Sequence, residues 1–379
     1  MVFFKDIIGQ EEAKARLRRS FNESKLAHAL LFYGPEGNGS FALALAFCRY
    51  IACSNRSADD ACGECPTCRK FSSLQFADLH FSFPFFNKGS QEKTVCDDYA
   101  REWREWLLRE GPYGDLDSWR KMLDADRKQL HMSVHEAGSI VQHLSLKAYE
   151  GGYKFQLIWH AEHMRNDTAN KLLKIVEEPP EKTLFIFLTQ SAESMLPTVL
   201  SRVQMLHIPA IEDAAMVNAL VANGIAAEKA EGIAHYSAGN WKLAQQLAAA
   251  EDPHAFLFQQ FQSWMRFCYK RDVGPLVKWC DGIATLTRED QRSFISYALE
   301  QIRQNVVLNY TEGKLGRQNE SEKDFSVKFA RYINHTNIEE FYEEMNRAHE
   351  DIGRNVNSKL VFLDLSFKVH HMLTRKVEV

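Results

Sequence analysis

Residues 33–44 read YGPEGNGSFALA, a glycine-rich turn between an apolar run, AHALLFYG (27–34), and a continuous helical stretch, FALALAFCRYIAC (41–53). Strand, glycine loop and helix in that order are the setting of a phosphate loop. They commit the chain to a buried parallel strand covered by helices. Gly34 to Gly39, with Gly37 between them, fit the first six places of G-x-x-x-x-G-K-[ST]. Ser40 then stands where the lysine belongs, and Phe41 where the magnesium-binding hydroxyl belongs. The three glycines have a second reading, as positions kept for tight strand-to-helix packing alone.

Two further apolar runs, YKFQLIW (153–159) and TLFIFLT (183–189), flank the helical NDTANKLLKIVEE (166–178), which Pro179 and Pro180 terminate. With a charged helix at 11–22, the alternation predicts an α/β domain with a parallel sheet. Residues 85–131 interrupt it with an aromatic-rich stretch in which Tyr99, Trp103, Trp106 and Leu107 share one helical face. That spacing predicts a surface insertion packing its tryptophans on the domain; the alternative is a partner-binding anchor. A small helical unit follows at about 210–250. From 251 onward the apolar spacing is helical throughout, with Phe294, Ala298, Leu299, Ile302 and Val306 on one face and Leu360, Leu363 and Phe367 on another.

Phosphate-loop ATPases also need an acidic pair at a strand end to orient the metal and activate water. With Met164 setting the register, QLIWHAEHM places Trp159 and His160 there. A register shifted by two would make Glu162 the acid and leave the loop unrepaired. Ser40, Phe41, Trp159 and His160 together remove the cation, the metal ligand, the metal orienter and the base. The expectation is no ATP hydrolysis and no bound ATP.

No apolar stretch approaches the roughly 20 residues of a membrane span, and the N-terminus, MVFFKDIIGQEE, lacks an apolar leader segment. A cytoplasmic chain with no membrane partner is expected, and in that compartment clustered cysteines are metal ligands before they are disulfides. In CSNRSADDACGECPTC (53–68), Cys53, Cys62, Cys65 and Cys68 offer four thiolates to a tetrahedral ion. Filled by four sulfurs, such a site leaves no place for water, so a structural Zn²⁺ is expected. Iron–sulfur ligation also uses closely spaced cysteines, but nothing else in the chain points to redox function, and the alternative is free or transiently oxidised thiols. Cys48, Cys96, Cys268 and Cys280 are scattered and read as small buried side chains.

GQEEAKARL (9–17), LAHALLFYGPEGNG (26–39), the cysteine segment, YEGGYKFQLI (149–158), ANKLLKIVEEPP (169–180) and LPTVLSR (196–202) together resemble the clamp-loader subunits of bacterial DNA polymerase III. The blocks run in family order and cover most of residues 1–208. Within that AAA+ clamp-loader family, the degenerate loop and lost acidic pair resemble the delta prime branch rather than the ATP-consuming gamma or tau branch. The resemblance implies a RecA-like AAA+ domain at 1–208 carrying the zinc loop 53–68; the insertion at about 85–131 lies between the family blocks and departs from it. A helical lid at 209–250 and an all-α collar at 251–379 would follow. It further implies a stator in a heteropentameric loader, a component of an ATPase and not an enzyme alone. Its partners would be the gamma/tau ATPase subunits and delta, with primed DNA and, indirectly, the sliding clamp. Ser201, Arg202 and Val203 stand where the family has Ser-Arg-Cys. That makes Arg202 the catalytic candidate, an arginine finger offered in trans to a neighbour's nucleotide. On its own an exposed arginine pairs with a surface carboxylate. Lys242, in SAGNWKLA (237–244), lies near the family's sensor position; with no nucleotide its role would be structural.

Two other classes stand beside this one: an ATPase with an atypical site, and a zinc-bearing DNA-binding module. The formal net charge of -4 announces no nucleic-acid binder, and SADDACGEC around the metal is acid-leaning. Lys171 and Lys174, on one helix, are the candidate DNA contacts, against the plainer reading of solvated lysines.

Overall fold

The computed structural model describes residues 2–87, 93–125, 128–249, 253–284, 286, 288–311, 320–354 and 356–375. They fall into two compact units, Met1–Ala249 and Ala250–Val379.

In the first unit, strands β1 (Ala29–Tyr33), β2 (Leu79–Ser82), β3 (Lys154–Ile158), β4 (Thr183–Thr189) and β5 (Gln204–His207) form one parallel sheet in the order β2-β3-β4-β1-β5. Ala29 lies opposite Phe185, and Phe155 opposite Leu184. Every residue of β3 and β4 is buried. Such strands are covered on both faces; β4 is apolar between its terminal threonines, whereas β3 also buries Lys154, which donates to the Leu146 carbonyl, and Gln156, which donates to Ser82 Oγ. The three runs read from the sequence are β1, β3 and β4. Edge strands β2 and β5 were not foreseen, since each has four residues and β5 buries only Leu206.

The first unit's helices are α1 (Glu11–Asn22), α2 (Ser40–Ala52), α3 (Pro66–Ser72), α4 (Ala100–Glu110), α5 (Leu116–Met122), α6 (Val134–Ser145), α7 (Asn166–Glu177), α8 (Pro197–Leu200), α9 (Asp213–Ala222), α10 (Ala227–Ser237) and α11 (Trp241–Ala249). Helix α2 is buried at every residue from Phe41 to Ile51. The N-terminal segment covers part of it, with the Phe4 ring 6.5 Å from Phe47 and 5.6 Å from Tyr50. Helices α9, α10 and α11 pack on one another in sequence order.

The second unit contains α12 (Pro253–Lys270), α13 (Val273–Ala284), α14 (Arg288–Thr311), α15 (Glu320–Phe329), α16 (Ile338–Gly353) and α17 (Ser358–Thr374), with no strand among its described residues. Trp264 stacks on Trp279 at 5.3 Å and donates from Nε1 to Ser366 Oγ at 2.8 Å. Phe294, Ala298 and Ile302 are buried as expected. The expected face of α17 is corrected. Leu360 and Phe367 are exposed, and the buried residues are Val361, Phe362, Leu365, Ser366, Val369, Met372 and Leu373. α17 packs against α12, α13 and α16 at once. A helix apolar on most sides gives no single face to read from spacing. No helix among the described residues is long and apolar enough to cross a membrane.

Candidate functional site

The glycine loop is held by protein atoms. A Cβ on Gly34 would sit 1.9 Å from the Ile208 carbonyl oxygen. Gly37 has φ +71°, and a Cβ there would sit 2.0 Å from Asn240 Oδ1. Gly39, at φ +86°, precedes α2 under the Tyr113 ring. Asn38 donates from Nδ2 to the Ile208 carbonyl at 2.7 Å and accepts the Ser40 amide at 2.9 Å. Gln10 Nε2 donates to the Asn38 carbonyl at 3.1 Å, and the Trp241 amide donates to the Gly37 carbonyl at 3.1 Å. The Ser40 amide, which a phosphate loop would aim at its ligand, is thus spent on a neighbouring side chain.

Aromatic rings occupy the space beside the loop. Phe41 is 4% exposed, with its ring centroid 6.2 Å from Trp159, 6.1 Å from Trp103 and 6.3 Å from Phe81. Trp103 stacks on Phe83 at 4.1 Å, and Trp106 lies 5.1 Å from Trp159. Tyr99, Trp103, Trp106 and Leu107 are all buried, so the predicted face of the insertion is the one that packs. Its position over the glycine loop was not readable from the sequence. The insertion's Tyr113 also enters, its hydroxyl accepting the Ile8 amide at 3.1 Å. The cavity left at the loop is about 50 Å³, lined among others by Gly37, Tyr113, Asp115, Trp159 and His160. Small-molecule sites run to about 300 Å³ and upward. Tyr113 also lines a separate cavity of about 1070 Å³, with Ile8, Gln10, Pro209 and Trp241.

β3 stops at Ile158, so Trp159 and His160 do follow the strand directly. His160 adopts the left-handed conformation, φ 51° and ψ 57°, and its Nδ1 lies 2.9 Å from Glu162 Oε1. Burial pushes the His160 imidazole down, but the Glu162 carboxylate, with Glu36 and Asp115 beyond it, carries it above the usual histidine range. Burial raises the Glu162 carboxyl, and His160 outweighs that to hold it below the ordinary range. Glu162 is therefore engaged with His160. Lys242 Nζ reaches Glu110 Oε2 at 2.7 Å, tying α11 to insertion helix α4.

Arg202 follows α8. Its Nη1 donates to the Thr198 carbonyl at 2.9 Å and to Ser201 Oγ at 3.0 Å, and its Nη2 lies 3.0 Å from Glu177 Oε1. The carboxylate is half-exposed, with 53% of its side chain open to solvent. Val203, in the cysteine's place, packs against the core. Lys171 and Lys174 are exposed on α7.

The four cysteines converge. Cys53 Sγ lies 3.5 Å from Cys62 Sγ and 3.9 Å from Cys65 Sγ, and Cys62 Sγ lies 4.0 Å from Cys68 Sγ. A tetrahedron with zinc–sulfur bonds of about 2.3 Å has edges of about 3.8 Å. The amides of Cys62, Cys65 and Cys68 point at the sulfurs of Cys53, Cys62 and Cys65, at 3.3, 3.4 and 3.4 Å. Burial raises the Cys65 thiol, but hydrogen bonds led by the Cys68 amide bring it down to about 6, whereas burial pushes Cys53 up and Cys68 up to about 12. The residues fit a four-thiolate metal site. Cys48, Cys96, Cys268 and Cys280 are buried free thiols.

A family model described as "DNA polymerase III, delta subunit" matches residues 9–212, more than half of the chain. The chain belongs to that family. Its curated relatives include the DNA polymerase III subunit delta' of Yersinia pestis, 29% identical over 46% of this chain and 39% of that protein. The delta' of Pseudomonas aeruginosa is 31% identical over 46% of this chain and 41% of that protein. The subunit tau of Bacillus subtilis is 26% identical over 56% of this chain and 30% of that protein. The chain spans less than half the length of these relatives. Among solved structures, a gamma subunit-related protein of Thermotoga maritima aligns with 96% of this chain and 100% of its own, at 12% identity and a TM-score of 0.36. That is too slight a likeness to argue from.

Proposed function

We propose that this chain is a non-catalytic stator of the delta prime type in a DNA polymerase III clamp loader. It assembles with gamma/tau-type ATPase subunits and delta, and contributes Arg202 to a neighbour's nucleotide while binding none itself. Family membership supports the assignment to the loader. The observation that carries the stator role is the packing of Phe41 on Trp159 and Trp103 where a phosphate loop keeps its magnesium ligands. A loop with no lysine, three ring faces and a 50 Å³ remainder cannot offset the desolvation of a triphosphate. Residues 209–250 act as the lid and 251–379 as the collar of the AAA+ plan. Cys53, Cys62, Cys65 and Cys68 hold a structural zinc that supplies a staple and no reactivity. The setting is cytoplasmic, with primed DNA as the assembly's partner and the clamp reached indirectly.

Reconstitution with ATPase subunits and delta tests the reading. Arg202→Ala leaves the isolated chain folded and lowers the DNA-stimulated ATPase rate of the assembly. Equal turnover with the unaltered chain removes the finger, and failure to assemble removes the loader assignment. Tight binding of a fluorescent ATP analogue to the isolated chain removes the stator role.

A further inference from the structure

We propose that His160, Glu162 and His163 form a binding site for a divalent transition-metal ion of the zinc class, separate from the four-cysteine cluster. One ring nitrogen from each imidazole and one oxygen of the carboxylate lie within 4.8 Å of one another. The tight turn at Ala161–His163, entered through the left-handed His160, is what gathers side chains so close in sequence.

Glu162 has one oxygen 2.9 Å from His160 Nδ1, while the other, Oε2, is buried without a hydrogen-bond partner. A buried carboxylate oxygen without a donor is disfavoured, and a cation satisfies it. His163 Nδ1 faces the Leu130 carbonyl at 3.3 Å. A carbonyl only accepts, so the proton sits on Nδ1 and Nε2 keeps its lone pair. A backbone carbonyl behind the far nitrogen is the usual support of a metal-binding histidine. Two imidazoles and one carboxylate suit zinc, with the fourth place left to water; magnesium and calcium prefer oxygen donors throughout.

The Met132 amide donates to the His163 carbonyl at 3.0 Å, so the turn that carries the three side chains is tied to the residue following the aromatic insertion.

The test counts metal in the full chain. Unaltered protein, Glu162→Gln and His163→Gln are stripped, equilibrated with micromolar Zn²⁺, freed of excess and analysed by plasma mass spectrometry. Each variant should hold one zinc fewer than the unaltered chain, whatever the cysteine cluster holds. Equal content in all three folded proteins overturns the site and leaves a plain His160–Glu162 ion pair. Should circular dichroism show either variant unfolded, crystals of the unaltered chain grown with Zn²⁺ decide. An anomalous peak among the three side chains at the zinc edge supports the site, and its absence overturns it.

Discussion

The ring of Phe41 lies 6.2 Å from the ring of Trp159, and Trp103 touches both, at 6.1 and 5.3 Å. In a working phosphate loop these two positions carry a hydroxyl and a carboxylate that meet at one magnesium ion. Here two rings meet instead, and a third ring from the insertion closes the contact. The two replacements make one packed cluster, so neither can be reversed without opening a hole beside the other.

Restoring the sequence motif therefore should not restore the site. Ser40→Lys with Phe41→Thr is expected to bind no ATP at micromolar concentration, because Trp103, Trp106 and Tyr113 still fill the space. The same change removes a buried ring. Phe41→Ala alone should cost about 3–5 kcal/mol, the usual range for a phenylalanine truncated in a core. In a unit of this size that lowers its melting temperature by about 10 °C. Calorimetry checks the second expectation and fluorescence titration the first; an unchanged melting point would mean that the ring cluster contributes little.

Cys65→Ser should lower the zinc content and loosen the loop from 54 to 64. Few apolar groups secure that segment: Cys53, Ala61 and Cys68 form its small core with Phe3, Cys62 and Cys65 packed on it. Limited proteolysis should cut the variant between 54 and 64 well before the unaltered chain, and equal cleavage rates would show that the metal is not the staple.

Most of the sheet and the cysteine cluster were legible because each rests on local pattern. β1 and β4 are near-continuous apolar runs, β3 is one broken by Lys154 and Gln156, and the cysteines sit at ligand spacing within one loop. β2 and β5 were not, since four residues at a sheet edge carry no periodicity. The relation of Trp103 and Tyr113 to the glycine loop was hidden for a different reason. The helical face of the insertion showed that it buries something, but a face names no partner across more than 60 residues of chain. The outward side of Leu360 was misread because α17 has apolar residues nearly all round. The Arg202–Glu177 pair joins the turn after α8 to the last residue of α7, whose mutual position only the fold supplies.

That pair sets a further expectation. Exposed ion pairs contribute about 0–1 kcal/mol, so Arg202→Lys, Arg202→Ala and Glu177→Gln should each leave the melting temperature within about 3 °C. In the reconstituted assembly the two arginine variants should behave alike, because lysine lacks the planar fork that grips two phosphate oxygens. Glu177→Gln should retain activity, since it removes only the carboxylate partner and leaves the guanidinium its Thr198 and Ser201 contacts. Full ATPase activity with Arg202→Lys would mean that charge alone suffices at this position.

The cluster under β2 sets the response to acid. His80 is pushed down to about 4, first by burial and then by the neighbouring His143, with Asp78 and Asp97 opposing. The two imidazoles stack at 4.8 Å, and His143 Nε2 lies 3.2 Å from Asp97 Oδ2. An unfolded histidine titrates near 6.5. The unfolded chain therefore takes up a proton that folded His80 refuses, and stability present above pH 6.5 is lost as pH falls towards 4. His143 works in the opposite sense: hydrogen bonding to Asp97 holds it above its usual range, so its contribution is complete below 6.5 and fades only on the alkaline side. Between pH 6.5 and 4 the His80 effect therefore prevails in this cluster, at about 2 kcal/mol once solvent at its partly open side is allowed for. His80→Phe keeps a ring against His143 and removes the titration. Its melting temperature should change less over that interval than that of the unaltered chain, and parallel curves for the two proteins would show that His80 accepts its proton in the folded state.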